Sequence, residues 1–151
     1  MKSLCCMIAV AALAFATPAH AGINDPPIII YRASGVVDDQ NAWATIVSCT
    51  NFSGVTEKLT VVVRAADSTI KANVNVNVAH FNTAVLATRD TAIFTTEANM
   101  ATGPINAGVV SIAATSVHFT CTVIGLQFHT VAPLSFPLHL LRLTPIPGTQ
   151  E

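Results

Sequence analysis

Ile70-Lys71-Ala72-Asn73-Val74-Asn75-Val76-Asn77-Val78 alternates apolar and polar residues almost without a break. In an extended chain successive side chains point to opposite faces. Ile70, Ala72, Val74, Val76 and Val78 therefore line one side, and Lys71, Asn73, Asn75 and Asn77 the other. A helix would scatter the same valines around its circumference. The preceding segment carries the same period: Val55, Glu57, Leu59, Val61 and Val63 share a side, while Thr56, Lys58, Thr60, Val62 and Arg64 take the other. Two half-buried strands in succession make the chain all-β.

The same reading extends in both directions. Ile28 to Val37 is rich in β-branched residues and ends in the turn cluster Asp38-Asp39-Gln40-Asn41. Trp43, Thr45, Val47 and Cys49 share a face before Asn51-Phe52-Ser53-Gly54 turns the chain. Val117, Phe119, Cys121 and Val123 share a face before Gly125. Thr83 to Thr88 and Val109 to Ala114 read as short strands. Thr91 to Met100 divides between a strand at Ile93-Phe94-Thr95-Thr96 and one helical turn at Glu97-Ala98-Asn99-Met100-Ala101. Leu134, Phe136, Leu138 and Leu140 alternate with Ser135, Pro137, His139 and Leu141. Pro137 has no N–H to donate, which makes this stretch an edge strand or a bulge. Seven or eight short strands with turn signals every ten residues or so predict an antiparallel β-sandwich, with a small closed β-barrel as the alternative. An outer-membrane barrel is disfavoured, because several strands are too short and aromatic residues are too few to form girdles.

Residues 1–21 have the build of a secretory signal peptide. Lys2 is followed by the apolar run Leu4 to Ala16, then Pro18, then the small-x-small pattern Ala19-His20-Ala21. Cleavage there leaves residues 22–151 as a single β domain, exported to the periplasm or the extracellular space. That span contains no apolar stretch near the roughly 18 residues of a membrane helix. Cys5 and Cys6 leave with the leader, and Cys49 and Cys121 remain. Two thiols in an oxidising compartment predict one disulfide. If the apolar faces of the two cysteine strands meet across a sandwich, the bridge links the two sheets. Its separation of 72 residues corresponds to about 4 to 5 kcal/mol by chain entropy.

With Lys2 set aside, six basic residues stand against eight acidic ones. Arg32, Lys58, Arg64, Lys71, Arg89 and Arg142 are scattered singly, so there is no electrostatic footprint for nucleic acid.

Catalytic patterns are equally sparse. No G-x-S-x-G, phosphate-cradling glycine loop, H-E-x-x-H or calcium loop occurs, which argues against an enzyme and calls for no cofactor. His80, His118, His129 and His139 follow the leader. His118 alternates with the apolar face of its strand and is expected in solvent. His129 and His139 could approach one another if the segment between them bends back; they are the candidate metal ligands, without an evident third. Asp38-Asp39 reads as a solvated turn, with calcium ligation as the alternative. Asn51-Phe52-Ser53 matches a glycosylation acceptor and reads equally as a turn held by Asn51 and Ser53. Trp43 is expected in the core. The asparagine row is either a solvated outer face or a surface for a partner's strand or a sugar.

Ser48-Cys49-Thr50-Asn51-Phe52-Ser53-Gly54 ahead of a valine-rich strand resembles small exported bacterial proteins of unknown function. Ala113-Ala114-Thr115-Ser116 and the ending Pro145-Ile146-Pro147-Gly148-Thr149-Gln150-Glu151 share in the likeness. The resemblance implies an immunoglobulin-like sandwich with one disulfide and brings no activity with it. It departs from antibody-type domains, where the core tryptophan follows the first cysteine, whereas Trp43 precedes Cys49.

The sequence thus predicts an exported, non-enzymatic binding or structural module with an envelope or extracellular protein as partner. The alternative is a periplasmic metal-binding or small-molecule-binding protein built on its histidines.

Overall fold

The computed structural model describes residues 22–128 and 133–143. Ten strands among them form two five-stranded sheets, neither closed into a barrel. The first sheet orders β10 (Leu140–Arg142), β1 (Ile28–Asp38), β7 (Ile105–Ala114), β3 (Glu57–Ala65) and β4 (Ile70–Val78). The second orders β6 (Glu97–Asn99), β5 (Thr83–Ala87), β2 (Trp43–Asn51), β8 (Phe119–Gln127) and β9 (Leu134–Pro137). Every pairing is antiparallel except β5 with β6.

The strand count exceeds seven or eight for two reasons. The stretch Thr91 to Met100 supplies β6, which falls at Glu97–Asn99 where a helical turn was expected, while Ile93 to Thr96, the expected strand, forms bends and turns. The proline-interrupted run Leu134 to Leu141 is divided between the sheets, with β9 ending at Pro137 on the edge of the second sheet and β10 beginning three residues later on the edge of the first. A proline can end a ladder because it has no donor to offer it, and here the chain crosses over at that point.

The core lies between the sheets and is made of the faces the alternation marked. Leu59, Val61 and Val63 of β3, with Val110 and Ile112 of β7, meet Val47 of β2, Leu86 of β5, and Phe119 and Val123 of β8. Glu57, on the same side of β3, is buried too, and its carboxylate accepts a hydrogen bond from the Thr115 hydroxyl. At the opposite end of the sandwich the buried polar groups are threonines and the Asp38 carboxylate. The Thr45 hydroxyl takes the Val37 N–H at 2.8 Å, and the Thr88 hydroxyl takes the Thr45 N–H at 3.0 Å. These bonds tie β1 to the second sheet and satisfy groups that would otherwise be costly to bury.

The disulfide joins Cys49 and Cys121, but not across the sandwich. The two residues lie directly opposite one another on neighbouring strands β2 and β8 of the same sheet, with Cα atoms 4.1 Å apart. That is the short spacing of a non-hydrogen-bonded antiparallel pair. Both side chains point inward, as the alternation requires, so a bridge within one sheet and a bridge between sheets leave the same pattern in the sequence.

Trp43 is half-buried rather than central. Its ring packs on Phe136 at 5.7 Å between centroids, at the margin of the second sheet. Phe136 in turn lies over Gly125, its register partner, so closely that a Cβ there would fall 2.2 Å from the ring. Glycine at 125 is what lets this aromatic pair close the sheet's margin.

Candidate functional site

The first sheet ends at β4, and what bounds that strand follows from the bonding of β3. Lys58 directs both backbone groups towards the β7 side: its carbonyl accepts from the Thr115 N–H at 3.1 Å, and its N–H donates to the Thr115 hydroxyl at 3.1 Å. Backbone groups alternate sides along an antiparallel strand. Thr60 and Val62 therefore also serve β7, while Glu57, Leu59, Val61 and Val63 bond to β4. Their register partners are Val78, Val76, Val74 and Ala72. The asparagines sit in the non-hydrogen-bonded positions, and the close Thr60–Asn75 side-chain bond, 2.7 Å from hydroxyl to amide oxygen, fits that placement. The N–H and C=O groups of Asn73, Asn75 and Asn77 thus point away from the sheet; a bulge takes up Lys71, so that Ile70 pairs with Arg64 and leaves the apolar side its alternation assigned to it. Among the described residues no other strand pairs with them.

On the inner side of this edge Val74 and Val76 are only partly buried, because β5 and β6 of the second sheet do not close over them. A groove of about 210 Å³ runs there, lined by Val76 and Val78 on one wall and by Val85, Leu86 and Ala98 on the other. The first sheet's asparagine row faces outward and is exposed.

One end of the groove carries an aromatic tip. Phe52, in the β2–β3 turn, meets Phe81, in the β4–β5 turn, edge to face at 5.9 Å. Phe81 is 68 % exposed and Phe52 49 %. Phe81 also has φ 61°, a left-handed conformation that bulky residues seldom adopt and that tends to occur at functional sites. It is held there by its N–H bond to the Asn51 carbonyl at 2.8 Å. His80 stacks on the Phe81 ring at 3.7 Å, and its Nδ1 accepts the Gly54 N–H at 3.0 Å.

Asn51 binds these turns together. Its side chain is fully buried, its Nδ2 donates to the carbonyls of Val55 and Val78 at 2.7 Å each, and its Oδ1 accepts the Ser53 N–H at 2.8 Å. Asn51 and Ser53 therefore make the turn, and the acceptor amide is sealed in the folded protein. The tip has a sequence signature that composition alone passes over, since Phe52 and Phe81 both stand in turn segments where polar and small residues are the rule.

The remaining singled-out residues lie elsewhere. His118 is exposed, its Nδ1 3.2 Å from the Ser116 hydroxyl. His139 borders a shallow depression of about 250 Å³ between β1 and β10, beside Arg32 and Leu141; His129 lies outside the described residues. Among the described residues no group of three potential metal ligands comes together.

The Asp38-Asp39 pair is satisfied by its own chain, and only Asp39 is solvated as expected, since Asp38 ends β1 and is fully buried. Asp38 accepts from the Gln40 N–H and from the Thr102 hydroxyl. Asp39 accepts the N–H groups of Asn41, Ala42 and Trp43. The bond from Trp43 leads in holding the Asp39 carboxyl below the usual carboxylate range; slight burial opposes it, while the other two N–H groups and the Arg89 charge assist. The Arg89 guanidinium lies 5.4 Å over the Phe128 ring, and its Nη1 is buried with no hydrogen-bond partner among the described residues.

No helix among the described residues is long and apolar enough to cross a membrane. No known protein family, no curated protein and no solved structure matches this chain.

Proposed function

We propose that this protein is an exported, non-enzymatic binding module of the periplasm or extracellular space that takes an extended segment of an envelope or extracellular protein as an added strand along β4. One observation carries the reading: a nine-residue edge strand whose outward backbone groups meet no other strand among the described residues, bordered by a groove of mixed valine, leucine, asparagine and threonine lining and by an exposed aromatic tip. Strand addition draws affinity from main-chain hydrogen bonds and selectivity from pockets for alternate side chains. The groove beside Val76 and Leu86 offers such a pocket on one face of the incoming strand. Export is supported by the leader-like residues 1–21 and by the disulfide, a bond that persists in oxidising compartments. The immunoglobulin-like build implied by the resemblance belongs to the same reading and is supported by the two-sheet arrangement.

The test is a photo-reactive residue placed at Asn73 and, as a control on the opposite edge of the same sheet, at Leu141, in cells exporting the protein. Adducts from position 73 that are absent from position 141 are expected. Equal labelling at both positions, or none at 73, would overturn the proposal.

A further inference from the structure

Resting on the reading of β4 as an acceptor edge, we infer that its occupant is β4 of a second copy of this chain, paired antiparallel about a twofold axis at Val74. Three features of the strand point to its own image. The first is parity. Two sheets that join edge to edge must align their inner faces, so residues of like parity must meet. An axis at Val74 sets Ala72 opposite the second copy's Val76 and Val74 opposite Val74, so the inner face of the junction is apolar from residue 72 to residue 76. On the other face Asn73 meets Asn75.

The second feature is hydrogen bonding. In the regular run after the bulge, the residues with outward N–H and C=O groups are Asn73, Asn75 and Asn77. This register pairs Asn73 of each copy with Asn75 of the other, so outward groups around the axis meet only outward groups. A register centred between residues would set asparagine against valine and place outward groups against inward ones.

The third is charge. Lys71 is the single charged residue of β4, and it stands at the bulge that ends the regular run, clear of the axis and of its own image. Protected edges carry charges, prolines or bulges along their length, or are short, and β4 has none of these between Ala72 and Val78. Pairing also covers apolar surface that the single chain leaves open, the half-buried Val74 and Val76. A twofold junction closes on itself, yielding a dimer with a continuous ten-stranded sheet rather than a filament. An interface built mainly on one strand pair lies at the small end of specific contacts, so dissociation in the micromolar range is expected.

The experiment is light scattering and sedimentation of the exported, disulfide-intact protein over a concentration series, with three variants. The wild type should move from monomer to dimer. N73K/N75K places lysine opposite lysine at two positions of the junction and should weaken the dimer at least tenfold, whereas N73K/N75E places lysine opposite glutamate and should preserve it. Both changes lie on the exposed face of an edge strand, so folding, checked by the melting temperature, should hold. V74C sets two thiols opposite each other at the axis, in the type of pair that Cys49 and Cys121 already bridge, and should give a disulfide-linked dimer on oxidation.

A dimer indifferent to N73K/N75K would overturn the self-pairing. So would a protein that stays monomeric, with no V74C cross-link, while the probe at Asn73 still captures another polypeptide; in that case the acceptor edge itself stands. Absence of every association through β4 would remove both.

Discussion

The two sheets of this protein finish their edges in opposite ways. The second sheet is pinned in its centre by the Cys49–Cys121 bridge between β2 and β8, and it ends in two short strands, three-residue β6 and four-residue β9, the latter stopped by Pro137. The first sheet has no covalent pin among its described strands. It is blunted on one side by three-residue β10 and left open on the other by nine-residue β4. Short length and proline are the ordinary means of keeping a sheet from recruiting another strand. Three of the four edges among the described residues use them, and β4 is the exception.

The largest effect that separates the sheets is expected from the bridge. Replacing both cysteines, C49S/C121S, should cost about 4 kcal/mol or somewhat more in chemical denaturation if closure of a 72-residue loop dominates. A loss near zero would mean that the nine-residue β2–β8 register suffices alone, and that the second sheet is no more firmly held than the first.

Proline scanning sharpens the contrast next. Thr122→Pro, in central β8, removes a ladder donor and should destabilise by about 3 kcal/mol. Asn75→Pro removes an outward N–H of β4 and the exposed Thr60–Asn75 side-chain bond, and should cost about 1 kcal/mol while abolishing strand addition. Equal losses would contradict the assignment of the asparagine backbone groups to the open side.

Gly125→Val tests the margin of the second sheet by driving a side chain into the Phe136 ring, and should cost about 1 to 3 kcal/mol with a shift in Trp43 fluorescence.

The smallest effect concerns the turn that carries the chain from the first sheet to the second. Asp39 has its folded pKa lowered, chiefly by the Trp43 N–H, so its contribution is present above the ordinary carboxylate pKa and is lost as pH falls through the lowered folded value. In an acid titration of stability, Asp39→Ala should narrow the gap between neutral and acidic conditions by about 1 kcal/mol or less, since the carboxylate is exposed to solvent.

Much of the architecture was legible because alternation is a local signal. β4 has the bounds its pattern marked, and β1, β2, β3, β5 and β8 begin or end within a few residues of theirs. Alternation fixes which face of a strand is buried but not which strand lies beside it. It therefore placed Cys49 and Cys121 on inner faces and was silent on whether those faces meet across the core or lie side by side. The same silence hid the open flank. The pattern shows Val74 and Val76 on the apolar side of β4, yet their partial exposure arises because β5 and β6 stop short of covering them, a matter of tertiary placement. Glu57 stood out as an acid on an apolar face. Its partner, Thr115, lies 58 residues away, beyond any local pattern. The tip formed by Phe52, His80 and Phe81 joins two turns that only the fold brings together.

Asn51 gives the fold a constraint on where it can be made. Its amide nitrogen holds the Val55 and Val78 carbonyls from a fully buried position, yet Asn51-Phe52-Ser53 is the tripeptide that oligosaccharide transferases read on an unfolded chain. A glycan attached during translocation would occupy the atom that has to close the β2–β3 turn, and the branched sugar would stand where the core begins. A secretory route that glycosylates before folding therefore acts as a poison for this domain. Recombinant production in a eukaryotic host should require Ser53→Ala, which removes the acceptor signal and spares the asparagine.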